Sequence, residues 1–287
     1  MSAHSVWSFE AIGTAWTIET PAPLPHHTRA EVDAIIAGFE REWSRFRDDS
    51  VVSALAVNGG TVPLPADAAA MLDLYDEVDA ATRGAVNPLI GDSLARLGYD
   101  ARYSFAGGAP EPAPLDWRGR LRWSGDRLEL DVPATIDVGA LGKGRLVDLV
   151  AANLIASGVD VFVVDASGDL LARGAAERIA LEHPYDRTRA IGVIDLADGA
   201  LCASAITRRA WGQGLHHVLD ARTGVPVTAY AATWALAADA MHADALATAL
   251  FFDGGAELAA AWGVQWVRMR TDGRVEWSPA STAELFS

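Results

Sequence analysis

The sequence predicts an α+β fold of mixed helices and largely antiparallel sheets. Segments with a helical apolar period and segments that alternate like strands follow one another in mixed order, without a regular βαβ repeat. The chain closes on a hairpin at TDGR, residues 271–274, where Asp-Gly supplies the tight turn. Its 287 residues are 51% hydrophobic and 21% charged, enough for a sizeable core and too apolar for general disorder. A single domain over residues 1–287 is expected, divided at most into sub-lobes joined by a loop at 107–114.

VWSFEAIGTAWTIET, residues 6–20, reads as two short strands or one bent strand with Gly13 at the bend. Residues 28–50 have helical periodicity, with Val32, Ile35, Ile36, Phe39 and Trp43 as the buried stripe. A second helix starts after Pro65 and stops at Gly84. GGAPEPAP, residues 107–114, sustains no regular structure and marks the loop. Residues 127–139 read as strand, and 143–158 as a helix ended by Gly158. Residues 159–174 read as one buried strand interrupted at Ser167 and Gly168. Further strands are expected at 190–194, 200–205 and 230–237, and a helix at 240–252. There is no internal repeat and no low-complexity segment.

The formal charge is −15, which disfavours nucleic acid as a partner and requires an anionic ligand to bring a metal ion or local donors. Cys202 is the only cysteine, so neither an internal disulfide nor a thiolate metal cluster can form. The start of the chain lacks a basic, apolar leader, and no segment is long enough to span a bilayer; a cytoplasmic location is expected.

Four stretches stand out chemically. DVGALGKGRLVD, residues 137–148, places three glycines between a strand and a helix with Lys143 at the helix entrance, an arrangement that suits a phosphate or simply a tight turn. It is neither a P-loop nor a Rossmann fingerprint. HHVLDARTGVP, residues 216–226, puts two histidines on opposite faces of a strand, so one can face a cleft as a proton acceptor. MHADALATALF, residues 241–251, lines up Asp244 and Thr248 one helical turn apart. Their hard oxygens suit Mg²⁺, or else the pair is a packed acid and a back-bonding hydroxyl. RGAVNPLIGDSLARLGYD, residues 83–100, is an irregular backbone before a short helix. The ten tryptophans are too dispersed to define a binding patch.

The order of these stretches resembles the ApbE family, the FAD:protein FMN transferases. The resemblance runs from IGTAWTI through GAVNPLIGDSLARLGY, IDVGALGKGRLVD, DASGDLLARG and HHVLDARTGVP to ADALATALFFDG, almost the whole chain. It implies a nucleotide cleft between two closely joined lobes, FAD as substrate and Mg²⁺ at its pyrophosphate. It implies transfer of FMN to a Thr or Ser hydroxyl of an acceptor flavoprotein, with release of AMP. Asp244 and Thr248 match the side-chain metal ligands, and Leu146 a residue that gives its backbone carbonyl to the same ion. Lys143 and Asp148 match the FAD-binding turn and helix, and Gly13, Ala85, Val86 and Asn87 segments along the nucleotide. His217 matches the histidine near the phosphates and, with Asp244, is expected to be catalytic.

This sequence departs from the family pattern in places. Val86 and Asn87 stand for a usual Phe-Asp, Leu146 for a small residue, Gly142 for alanine, and Ala205 for the glycine of a Ser-Gly pair. Two alternatives therefore stand beside transfer: hydrolysis of FAD to FMN and AMP, and FAD binding without catalysis.

Overall fold

The structure, a computed structural model, describes residues 4–286. Its centre is an eight-stranded sheet in the order Ser5–Ala11, Thr14–Thr20, Phe162–Asp165, Asp169–Arg173, Gly199–Ala205, Tyr230–Ala237, Gln265–Arg270 and Val275–Trp277. Every neighbouring pair is antiparallel. The expected α+β class is the one observed.

The first two strands form a hairpin and not one bent strand. Ile12 and Gly13 both take positive φ, 46° and 73°, as a two-residue turn matched to strand twist requires. Residues 159–174 also fold as a hairpin, where one interrupted strand was expected. Ser167 and Gly168, at φ 56° and 105°, reverse the chain, and the Asp165 carboxylate accepts the Gly168 N–H at 2.9 Å. Only Arg127–Leu130 of the segment 127–139 is strand; it pairs with Gly60–Pro63 and Leu121–Ser124. Pro133 has no ladder donor, and the chain beyond it runs irregularly to the glycine turn.

Strand alternation divides the core. Ala200 and Cys202 of Gly199–Ala205 face the helices, whereas Leu201 joins Leu181, Ile194, Trp234 and Val267 under a small sheet. That sheet is built from Glu177–His183, Asp186–Leu196 and Glu284–Leu285. On the helical side, His26–Trp43 buries Val32, Ile36, Phe39 and Trp43, and Ala68–Thr82 ends where Arg83 turns left-handed. One cluster of buried residues takes in side chains from Ala11 to Trp266. The loop at 107–114 therefore does not divide the core; it lies against the ARTG turn through Ala113 N–H and the Ala221 carbonyl, 2.8 Å apart. No helix among the described residues is long and apolar enough to cross a membrane.

Two helices, Gly142–Ala156 and Ala240–Ala249, meet at closest range. Each satisfies first-turn amides of the other, groups that no intrahelical carbonyl can reach. The Asp148 carboxylate accepts from Ala240 N–H at 2.7 Å and Met241 N–H at 2.9 Å, while Asp239 accepts from His242 N–H at 2.9 Å. In return Asp244 Oδ2 accepts the Gly144 N–H at 2.9 Å. Only glycine permits this approach: a Cβ at position 144 would lie 2.1 Å from the Ala240 carbonyl oxygen and 2.8 Å from Asp244 Cβ.

Gly144→Ala is expected to lower the free energy of unfolding by at least about 2 kcal/mol. The measurement is a shift of the urea midpoint at unchanged slope.

Candidate functional site

The two helices and the residue 137–142 turn form one wall of a cleft of about 300 Å³. Gly139, Ala140, Gly142, Lys143 and Thr248 line it, together with Ala85, Val86 and Asn87 opposite and Gly13 at the tip of the first hairpin. Ser204, Arg209 and His217 complete the polar side. At the mouth Phe46 and Tyr103 stack in parallel with centroids 5.2 Å apart, and Tyr99 stacks on Trp211 at 5.4 Å. The cleft thus joins an aromatic end to an end rich in oxygens and cations.

Thr248 Oγ1 lies 3.2 Å from the carbonyl oxygen of Ala140, to which it donates. Asp244, one turn earlier and 4% exposed, reaches the same wall through Gly144. Burial pushes the Asp244 carboxyl well up, the neighbouring Asp169 adds to this, and Lys143 opposes it. The Thr248 hydroxyl and the Ala140 carbonyl thus meet at the cleft wall, and one turn earlier on the same helix the Asp244 carboxylate rests against the Gly144 amide. Leu146, expected to supply the carbonyl, is not the residue whose carbonyl meets Thr248. It is fully buried inside the Gly142–Ala156 helix, where carbonyls run along the axis into the helical ladder. The carbonyl at Thr248 belongs to Ala140, which precedes the helix and is free to turn outward.

Lys143, the only lysine of the chain, enters the cleft wall but commits its ammonium to an ion pair with Asp169 and to the Ala166 carbonyl at 3.3 Å. Burial works against its charge, but Asp169 and then Asp244 hold its pKa above the ordinary lysine range. Lys143, expected in the FAD-binding turn, therefore stands beside two buried acids, paired with Asp169 and influenced by Asp244. Asp148, also expected at the nucleotide, does not line the cleft: its oxygens face the Ala240 and Met241 amides. Burial, opposed by those amides, pushes it up to about 6.

The two histidines diverge as strand geometry requires. His216 is buried, with Nε2 2.9 Å from the Val227 carbonyl. His217 lines the cleft, and its Nδ1 is buried without a hydrogen-bond partner among the described residues. Its imidazole is pushed down to about 3, first by burial and then by the Arg209 cation, while the Arg209 backbone carbonyl acts in the opposite direction as a hydrogen-bond acceptor. The residue as a whole is half-buried, and its imidazole is neutral near pH 7.

Asn87 is 2% exposed and fastens the cleft wall: its amide donates to the Pro114 carbonyl at 2.8 Å and its oxygen accepts Leu89 N–H at 2.8 Å. An aspartate could not make the first bond. Sequence reasoning did not single out Arg45, Tyr75, Asp137, Asp169 or Arg209. Arg45 is buried, ion-paired with Asp137, and its Nη1 donates to the Tyr99 carbonyl at 2.8 Å. Asp137 and Asp169 stand inside the quoted glycine motifs, so the signal for them was present.

His217 ties folding to pH. Its folded pKa, about 3, lies below the ordinary 6.5, so between these values the unfolded chain binds a proton that the native protein does not. Stability therefore falls as pH falls through that window. His217→Gln is expected to reduce the stability lost between about pH 7 and about pH 4.5 in urea unfolding. Asp148 acts with opposite sign below about 6, equally in both proteins, and cancels from the comparison.

Known proteins place this geometry in a family. The chain is 25% identical over 281 residues to a FAD:protein FMN transferase of Klebsiella pneumoniae, covering 88% of this chain and 79% of that protein. It is 28% identical over 272 residues to one of Treponema pallidum, covering 82% and 73%. The fold matches the flavin transferase ApbE of Vibrio cholerae with a TM-score of 0.81 at 22% identity, over 98% of both chains. It also matches the ApbE protein of Thermotoga maritima with a TM-score of 0.84 at 21% identity, over 96% and 97%. The ApbE family profile aligns with residues 12–267, and by that match this chain belongs to the ApbE family.

Proposed function

We propose that the protein transfers FMN from FAD to a Thr or Ser hydroxyl of an acceptor flavoprotein, releasing AMP, with Mg²⁺ bound by Ala140, Asp244 and Thr248. The carrying observation is the contact of the Thr248 hydroxyl with the Ala140 carbonyl, with the buried Asp244 carboxylate one helical turn away. Asp137 has Arg45 and Asp169 has Lys143 as a partner cation, whereas Asp244 is met by a backbone amide. A buried carboxylate with no side-chain cation of its own fits a divalent ion. All three donors are hard oxygens, the preference of Mg²⁺. Adjacent ligands of an octahedral Mg²⁺ at 2.0–2.1 Å stand about 2.9 Å apart, close to the 3.2 Å between Thr248 Oγ1 and the Ala140 carbonyl. Membership of the ApbE family and relatives named FAD:protein FMN transferase support the same reading.

When bound, the ion supplies charge neutralisation at the pyrophosphate. The chain's own residues do the rest. Phe46, Tyr99 and Tyr103 offer aromatic faces for a planar ring at the mouth. Arg209 brings positive charge to the polar side, felt at His217 and Asp244. The neutral His217 imidazole accepts the proton of the incoming hydroxyl as its oxygen bonds to the FMN phosphorus and the bond to the AMP phosphate breaks. The negative charge of the bound pyrophosphate raises the proton affinity of this imidazole, offsetting the burial that lowers it.

Incubation with FAD, Mg²⁺ and an acceptor carrying an Asp followed by Thr or Ser in a Gly/Ala/Ser/Thr-rich stretch is expected to leave flavin fluorescence on the acceptor in a denaturing gel. Asp244→Asn should reduce the rate by at least about a hundredfold, and Thr248→Val by about tenfold or more. Full activity of Asp244→Asn would defeat the metal assignment. Free FMN appearing equally fast without acceptor would mark hydrolysis in place of transfer.

A further inference from the structure

The carbonyl of Ala140 reaches Thr248 from an irregular turn, and something must hold that turn. Two peptide planes flank Ala140. The plane after it carries the carbonyl at 3.2 Å from Thr248 Oγ1, and its N–H, that of Leu141, donates to the Val138 carbonyl at 3.2 Å. The plane before it carries the Ala140 N–H, which donates to the hydroxyl of Tyr75 at 3.4 Å. That hydroxyl in turn donates to the Asp137 carbonyl at 3.0 Å. One phenol oxygen therefore spans the turn, from its entrance at Asp137 to the amide of the residue that offers its carbonyl.

The rest of the neighbourhood stiffens the same point. Asp137 N–H donates to the Pro88 carbonyl at 2.8 Å, its Oδ1 accepts Gly139 N–H at 2.7 Å, and its Oδ2 pairs with Arg45. Tyr75 projects from the helix Ala68–Thr82 and is 1% exposed, so its hydroxyl has no bulk water to replace either bond. Neither partner of that hydroxyl is needed to hold the helix itself.

We infer that Tyr75 is a positioning residue for the cation corner, its hydroxyl holding the Ala140 carbonyl in the orientation that makes it a ligand. The inference rests on the metal reading proposed above. Without the hydroxyl, the Ala140 amide and the Asp137 carbonyl lose a buried partner, and the ligand plane gains freedom that binding must remove.

Titration of the whole protein with Mn²⁺, followed by the loss of free-ion EPR signal, tests this with no catalytic readout. Tyr75→Phe, which keeps the ring, is expected to raise the Mn²⁺ Kd by about tenfold; Asp244→Asn serves as the control that loses the site. Should Tyr75→Phe fail to fold, Arg45→Lys loosens the same turn through Asp137 and is expected to weaken Mn²⁺ binding likewise. A Tyr75→Phe protein with lowered Tm but a Kd within about twofold of wild type, while Asp244→Asn has lost binding, overturns the inference and leaves the metal reading standing. Wild-type Mn²⁺ affinity in Asp244→Asn overturns the metal reading, and this inference with it.

Discussion

The arrangement depends on two helices trading carboxylates across Gly144. Asp148 holds the start of Ala240–Ala249, and Asp244 of that helix holds the start of Gly142–Ala156. A helix fixed at its first turn is fixed in phase, so the side chains at 244 and 248 have one direction to point. That direction is the glycine turn. The same contact that joins the helices thus sets the direction of the Asp244 and Thr248 side chains, and the absence of a Cβ at 144 makes the contact possible.

Electrostatics follow from this packing. An acidic chain has concentrated three carboxylates, those of Asp137, Asp169 and Asp244, around one wall and given only two of them a side-chain cation. At Asp244 burial first, and then the neighbouring Asp169, disfavour ionisation. The deficit is local and specific, unlike the diffuse negative surface. Under the proposed function, that local deficit is where a divalent cation would stand between the acidic chain and a pyrophosphate.

The fold class, the principal helices and the convergence of Gly13, residues 85–87, Thr248 and His217 were legible in the sequence. Periodicity exposes amphipathic faces, and motif order exposed which segments belong together. What stayed hidden depends on backbone direction or on partners far along the chain. Nothing local distinguishes the carbonyl of Ala140 from that of Leu146; the point where the helix begins decides which of them meets Thr248. Asp148 looks like any acid beside a glycine-rich turn, and its true partners are 92 and 93 residues away. Tyr75 sits on the buried face of an amphipathic helix, where an aromatic reads as packing, and its hydroxyl's partner is 62 residues on. The strand expected at 127–139 stops at Leu130, short of Pro133, which has no amide to donate to a ladder.

The chain carries one lysine among its 23 basic residues, and that lysine is tucked against Asp169. Every other fixed positive side-chain charge is a guanidinium. Apart from an N-terminal α-amino group, the exterior therefore presents no aliphatic amine to acylating, crosslinking or carbamylating chemistry. A reagent of that kind that modifies a lysine has reached the cleft wall, so acylated Lys143 would be a chemical reporter of access to the site.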